Sequence, residues 1–118
     1  MKKIILIPIF MIISCLDTSN INKSDLIKYN WLIPFIQDIK EIRGTFNLDT
    51  NEITFTSDIG NLTIQHFYDI ALQEKWNILL NNEQELSLEN KLNSLDRVNT
   101  HINIRILEQE ILFHIYDN

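Results

Sequence analysis

Ile102, Ile104 and Ile106 alternate with Asn103 and Arg105, and a few residues later Ile111, Phe113 and Ile115 alternate with Leu112 and His114. A period of two sends successive side chains to opposite faces of an extended chain, so each run reads as an amphipathic strand. Folding the runs about Glu108-Gln109 sets Ile106 opposite Ile111, Ile104 opposite Phe113 and Ile102 opposite Ile115. All these apolar partners then share one face, and a slip of a single residue would turn one strand's set to water. Glu108-Gln109 contains neither Gly nor Asn, so a wider loop in the same register is expected, with one long bent strand as the alternative.

A second hairpin follows the same logic. In Thr45-Phe46-Asn47-Leu48 and Ile53-Thr54-Phe55-Thr56 the alternation is strict, and a turn centred on Thr50-Asn51 pairs Leu48 with Ile53 and Phe46 with Phe55. Elsewhere the period is helical. Leu32, Phe35, Ile36 and Ile39 have the spacing of one helix face and Pro34 conflicts with a single uninterrupted helix, which predicts a short turn or two from about Ser24, a break near 31–33 and then a helix to about Ile42, closed by Gly44. Asn61 or Thr63 caps a helix carrying Ile64, Phe67, Tyr68, Ala71, Leu72 and Leu79. Asn82 and Glu85 then resemble a capping pair before Leu88, Leu92 and Leu95, spaced i, i+4, i+7. Trp31 and Trp76 are expected at the edge of the core. The order α-β-β-α-α-β-β predicts an α+β fold in two layers: a four-stranded antiparallel sheet made of two hairpins, with helices on one face.

The N-terminus has a different character. Met1-Lys2-Lys3 is a short basic segment, Ile4 to Ile13 is an apolar run containing Pro8, and Ile12-Ile13-Ser14-Cys15 follows. The run is too short to span a bilayer, which takes about 20 apolar residues, and has the length of an export signal's apolar core. Basic start, apolar run, small residue and cysteine fall in the order of a lipobox, so residues 1–15 resemble the signal of bacterial lipoproteins. The resemblance implies cleavage before Cys15 and diacylglycerol on its thiol. It also implies outer-membrane sorting in a Gram-negative cell, because Leu16 follows the cysteine and Asp17 comes one place later. The chain then divides into a signal over 1–14, a lipidated tether over 15–23 and a single domain over 24–118.

Charge limits the partners. The chain has a formal net charge of −6, and removal of Lys2 and Lys3 with the signal leaves 8 basic against 16 acidic residues. Such a surface repels phosphate backbones, which argues against nucleic acid and in favour of a basic protein partner or plain solubility. Cys15 is the only cysteine, so no disulfide framework supports the domain.

The hairpin register also gathers the candidate binding residues. His101 faces Tyr116, Asn103 faces His114 and Arg105 faces Leu112, all on the face away from the expected helices. Two histidines on a diagonal can ligate metal or move protons, although a zinc site takes three or four ligands. His66 and Asp69, three apart, are a second pair. No HExxH, GxSxG, phosphate loop, EF-hand loop or CxxC occurs, and no cofactor is implied. The expected function is therefore a non-enzymatic, membrane-anchored protein-binding lipoprotein of the cell envelope, of which an immunity or inhibitor protein is one version. A small enzyme or metal-dependent accessory subunit using His101 and His114, and a structural envelope lipoprotein, are the alternatives.

Overall fold

The structure, a computed structural model, describes residues 18–93 and 98–117, with side chains over 19–90 and 100–117. The signal, Cys15 and Leu95 lie outside the described residues. Along the chain run β1 (Thr18–Ile21), α1 (Lys23–Leu26), α2 (Ile33–Ile36), β2 (Arg43–Asn47), β3 (Glu52–Asp58) and α3 (Ile64–Gln73). β4 (Asn77–Asn81), β5 (Glu85–Asn93), β6 (Val98–Leu107) and β7 (Glu110–Asp117) follow. The strands form one sheet in the order β1-β2-β3-β7-β6-β5-β4, with every pairing antiparallel.

The C-terminal hairpin has the register that its alternation dictates. Ile102 pairs with Ile115, Ile104 with Phe113 and Ile106 with Ile111, while His101 pairs with Tyr116, Asn103 with His114 and Arg105 with Leu112. Its connection is tighter than expected. Leu107 pairs with Glu110, so Glu108 and Gln109 alone make the turn, and Glu108 accepts a left-handed φ of 40° in place of the missing glycine.

The rest of the expected architecture needs correction. The four-stranded sheet with helices on one face gives way to seven strands and three short helices among the described residues. The segment expected to be the last helix is β5, because Leu86 and Leu88 alternate with Ser87 and Glu89 and pair with Ile104 and Ile102. Asn82 does accept backbone N–H groups, from Gln84 at 2.9 Å and Glu85 at 2.8 Å, but this closes the turn between β4 and β5. The preceding helix stops early. Thr63 caps α3 as anticipated, by accepting from the His66 N–H. At its other end Lys75 adopts φ 64°, Lys75 N–H donates to Leu72 O and Trp76 N–H to Ala71 O, a Schellman closure built without glycine. Leu79 therefore belongs to β4.

The short turn expected from about Ser24 is α1, but the helix expected to reach Ile42 is only the single turn α2, joined to α1 by a looping segment. Its apolar residues still reach the core: Leu26, Leu32, Phe35, Ile36, Ile39 and Ile42 are all buried. Aromatic packing holds the loop, with Trp31 5.6 Å from Tyr29 and 6.0 Å from Trp76, and Phe35 edge-on to Trp76 at 5.6 Å. Lys23 donates to Ile39 O at 2.6 Å, tying α1 to the exit of α2.

The first hairpin also differs by two residues. Phe46 pairs with Ile53 and Gly44 with Phe55, the turn occupies Leu48 to Asn51, and Leu48 is 54% exposed. Asn47 accepts from the Asp49 and Thr50 N–H groups and Asn51 takes φ 57°, so the local turn chemistry sets the register. Gly44 ends no helix. It sits against Phe55, where a Cβ would overlap Thr54 O and Phe55 Cβ. The two hairpins then join through β3 and β7, with Ile53 opposite Ile115 and Phe55 opposite Phe113. The inner face of the sheet is thus a continuous apolar floor from β3 through β7 and β6 to β5, and α3 packs Phe67 onto Phe113 above it.

Candidate functional site

Alternation along the central strands leaves the other face polar. His101, Asn103 and Arg105 project from β6, His114 and Tyr116 from β7, on the side opposite Ile102, Ile104, Phe113 and Ile115. All five candidate residues therefore stand on one rigid surface. The Tyr116 ring lies between the two imidazoles, 4.9 Å from His101 and 4.8 Å from His114. That placement keeps the histidines from converging on a common ion. Among the described residues no group of three or more His, Cys, Asp or Glu side chains is arranged to hold a metal.

Carboxylates flank the stack. Glu89 of β5 pairs with His101 across the strands, and its Oε2 lies 3.4 Å from His101 Nε2. Glu52 of β3 places Oε2 3.4 Å from His114 Nε2. His101 is only 8% exposed, and its Nε2 is buried without a well-aligned hydrogen bond, so the Glu89 contact is one of charge and proximity. Asn103 donates from Nδ2 to Glu85 Oε2 and to Ser87 Oγ, both at 2.7 Å. A strip Glu89–His101–Tyr116–His114–Glu52 thus crosses β5, β6, β7 and β3. Beside it Arg105 is exposed and, among the described residues, makes no side-chain hydrogen bond or ion pair; a groove of about 220 Å³ runs past it between Gln84, Glu85 and Leu107.

Arg43 on β2 is differently placed. It donates to Glu110 Oε2 at 3.0 Å and lies 3.5 Å from Asp58. The hydrogen bond to Glu110, with the nearby carboxylates, makes the guanidinium hold its proton more tightly than a free arginine does. Glu52, Glu85 and Glu89 reach the site because β3 and β5 flank the C-terminal hairpin, a strand order that residue spacing alone does not give. The signal that could have found two of them is the alternation Glu85-Leu86-Ser87-Leu88-Glu89, with acids and serine on one side and leucines on the other.

No family model, curated protein or solved structure matches the chain. The geometry therefore carries the functional argument. His66 and Asp69 do not pair. Asp69 accepts from Gln65 Nε2 at 2.8 Å, while His66 Nε2 lies 3.3 Å from Asp38. Among the described residues no serine hydroxyl makes a hydrogen bond to a histidine. Among the described residues, no helix is long and apolar enough to cross a membrane.

Proposed function

We propose that the chain is an exported lipoprotein, held to the cell envelope through lipid on Cys15, whose domain is a non-enzymatic module that binds a basic protein partner. An immunity or inhibitor protein is one concrete version. The observation that carries the reading is the outer-face strip of two glutamates, two histidines and Tyr116 set on central strands, with Glu85 bound to Asn103 and Arg105 exposed beside it. Central strands move little, so such a surface is ordered before a partner arrives and loses little entropy on binding. Tyr and Arg are the residue types that anchor interfaces, and the glutamates favour approach of positive charge. Two or three acyl chains at about 0.8 kcal/mol per buried methylene are enough for stable anchoring, which one chain alone is not.

Fractionation and intact mass of the Cys15→Ala chain test the anchoring. Wild type should partition with membranes at a mass that begins at Cys15 and includes acyl groups. The variant should lose those acyl groups and retain residues 1–14. A variant that stays with the membrane at the wild-type mature mass would overturn the lipoprotein reading.

A further inference from the structure

The sheet ends at β4, whose sequence Asn77-Ile78-Leu79-Leu80-Asn81 has no charge and no proline in a chain of net charge −6. An edge strand presents a row of unpaired N–H and C=O groups, and natural edges are blunted by charges, prolines or bulges. β4 has only the bulge. Ile78 pairs with Leu88 and Leu80 with Ser87, so Leu79 is the extra residue. The pairing sets Leu80 on the outer face beside Ser87, and leaves Leu79 55% and Leu80 43% exposed at the rim.

The segment from Asn77 to Asn82 is apolar in the middle and ends in asparagine in both directions. A strand of that kind is complementary to itself in the antiparallel sense, which is what a two-fold axis demands. We propose that β4 pairs antiparallel with β4 of a second copy of this chain, about an axis between Leu79 and Leu80. Each Leu79 then faces Leu80 of the other copy, Ile78 faces Asn81 and Asn77 faces Asn82. This register keeps residues of the same sheet face opposite each other: Leu80 lies on the outer face with Ser87, whereas Ile78 and Asn81 pair with the inner-face Leu88 and Leu86. An axis through Leu79 itself would set inner-face Ile78 against outer-face Leu80.

Charge allows the approach. Lys75 of each copy comes within one position of Glu83 of the other, and neither is in an ion pair among the described residues. Glu74 stands next to Lys75, so the electrostatic gain is small and the four leucines carry the contact. The axis is perpendicular to the sheet, so the outer faces of both copies, with His101, Arg105 and Tyr116, point the same way. The inference does not depend on what those faces bind.

Sedimentation of the full chain in detergent, with single cysteine substitutions, tests the pairing. The wild-type mass should rise with concentration from one chain toward two, and Leu80→Lys should hold it at one with an unchanged circular dichroism spectrum. Leu79→Cys should form a reducible dimer at least about tenfold faster than Asn77→Cys, because the two Leu79 Cα atoms, offset by one residue across the axis, lie about 6 Å apart, within the disulfide range, while the Asn77 positions lie roughly 17 Å apart. Wild type, with Cys15 alone, is the baseline. A chain that stays single at every concentration, or Asn77→Cys cross-linking as fast as Leu79→Cys, would overturn the proposal.

Discussion

Replacing Phe113 with Ala should lower stability by about 3–5 kcal/mol, a large part of the 5–15 kcal/mol that holds a typical domain together. Phe113 is fully buried on β7, at the middle of the sheet order. Its ring stacks on Phe55 at 4.6 Å and 11°, and meets Phe67 of α3 edge-on at 5.4 Å. Truncation would open a void where two strands and a helix meet, and neighbours on a paired sheet can close it only in part. Asn103 lies one position from Phe113's partner Ile104 but points to the outer face. Its loss to Ala removes two hydrogen bonds from a half-buried site and should cost about 1–2 kcal/mol. Urea midpoints of the two variants measure the contrast, and equal losses would contradict the register of β6 and β7.

Gly44→Ala should destabilise by about 1–3 kcal/mol, and Gly44→Val by more. The reason is contact with a neighbouring strand, not backbone freedom. An added Cβ would overlap Thr54 O and Phe55 Cβ and lie 2.6 Å from Phe55 Cα, so β2 would have to move away from β3. Since β1 is joined to the sheet only through β2, that movement would loosen both strands at this end. Gly60 makes the opposite case: its φ is 55° and a Cβ there meets nothing within 4 Å, so Gly60→Ala should cost only the left-handed penalty of about 1 kcal/mol. Melting temperatures separate the two causes, and a neutral Gly44→Ala would mean that β2 does not pair with Phe55 as described.

The C-terminal hairpin was legible because both of its strands alternate without interruption, so only one register buries all the apolar partners. The tight turn was not, since Glu108 adopts a conformation for which its own side chain offers no sign. β5 was missed because Leu88, Leu92 and Leu95 have the i, i+4, i+7 spacing of a helical stripe; Leu86, two residues before Leu88, is the residue that points to an extended strand. The first hairpin slipped by two because matching apolar residues alone favours Leu48 opposite Ile53, whereas Asn47 begins the turn and leaves Leu48 outside. The candidate site divides along the same line. His101, Asn103, Arg105, His114 and Tyr116 follow from local pairing, but Glu52 and Glu89 join them only through long-range strand order, which no local pattern encodes.

The central claim is that the outer face around Arg105 is the binding surface. A photo-cross-linking amino acid placed at Arg105 in the native cell tests it most directly, with one placed at exposed Leu72 of α3 as the reference. The account predicts a covalent adduct between the Arg105 position and one different, basic protein, lost when excess unlabelled chain competes, and no such adduct from position 72. Adducts from position 72 and none from position 105 would contradict it.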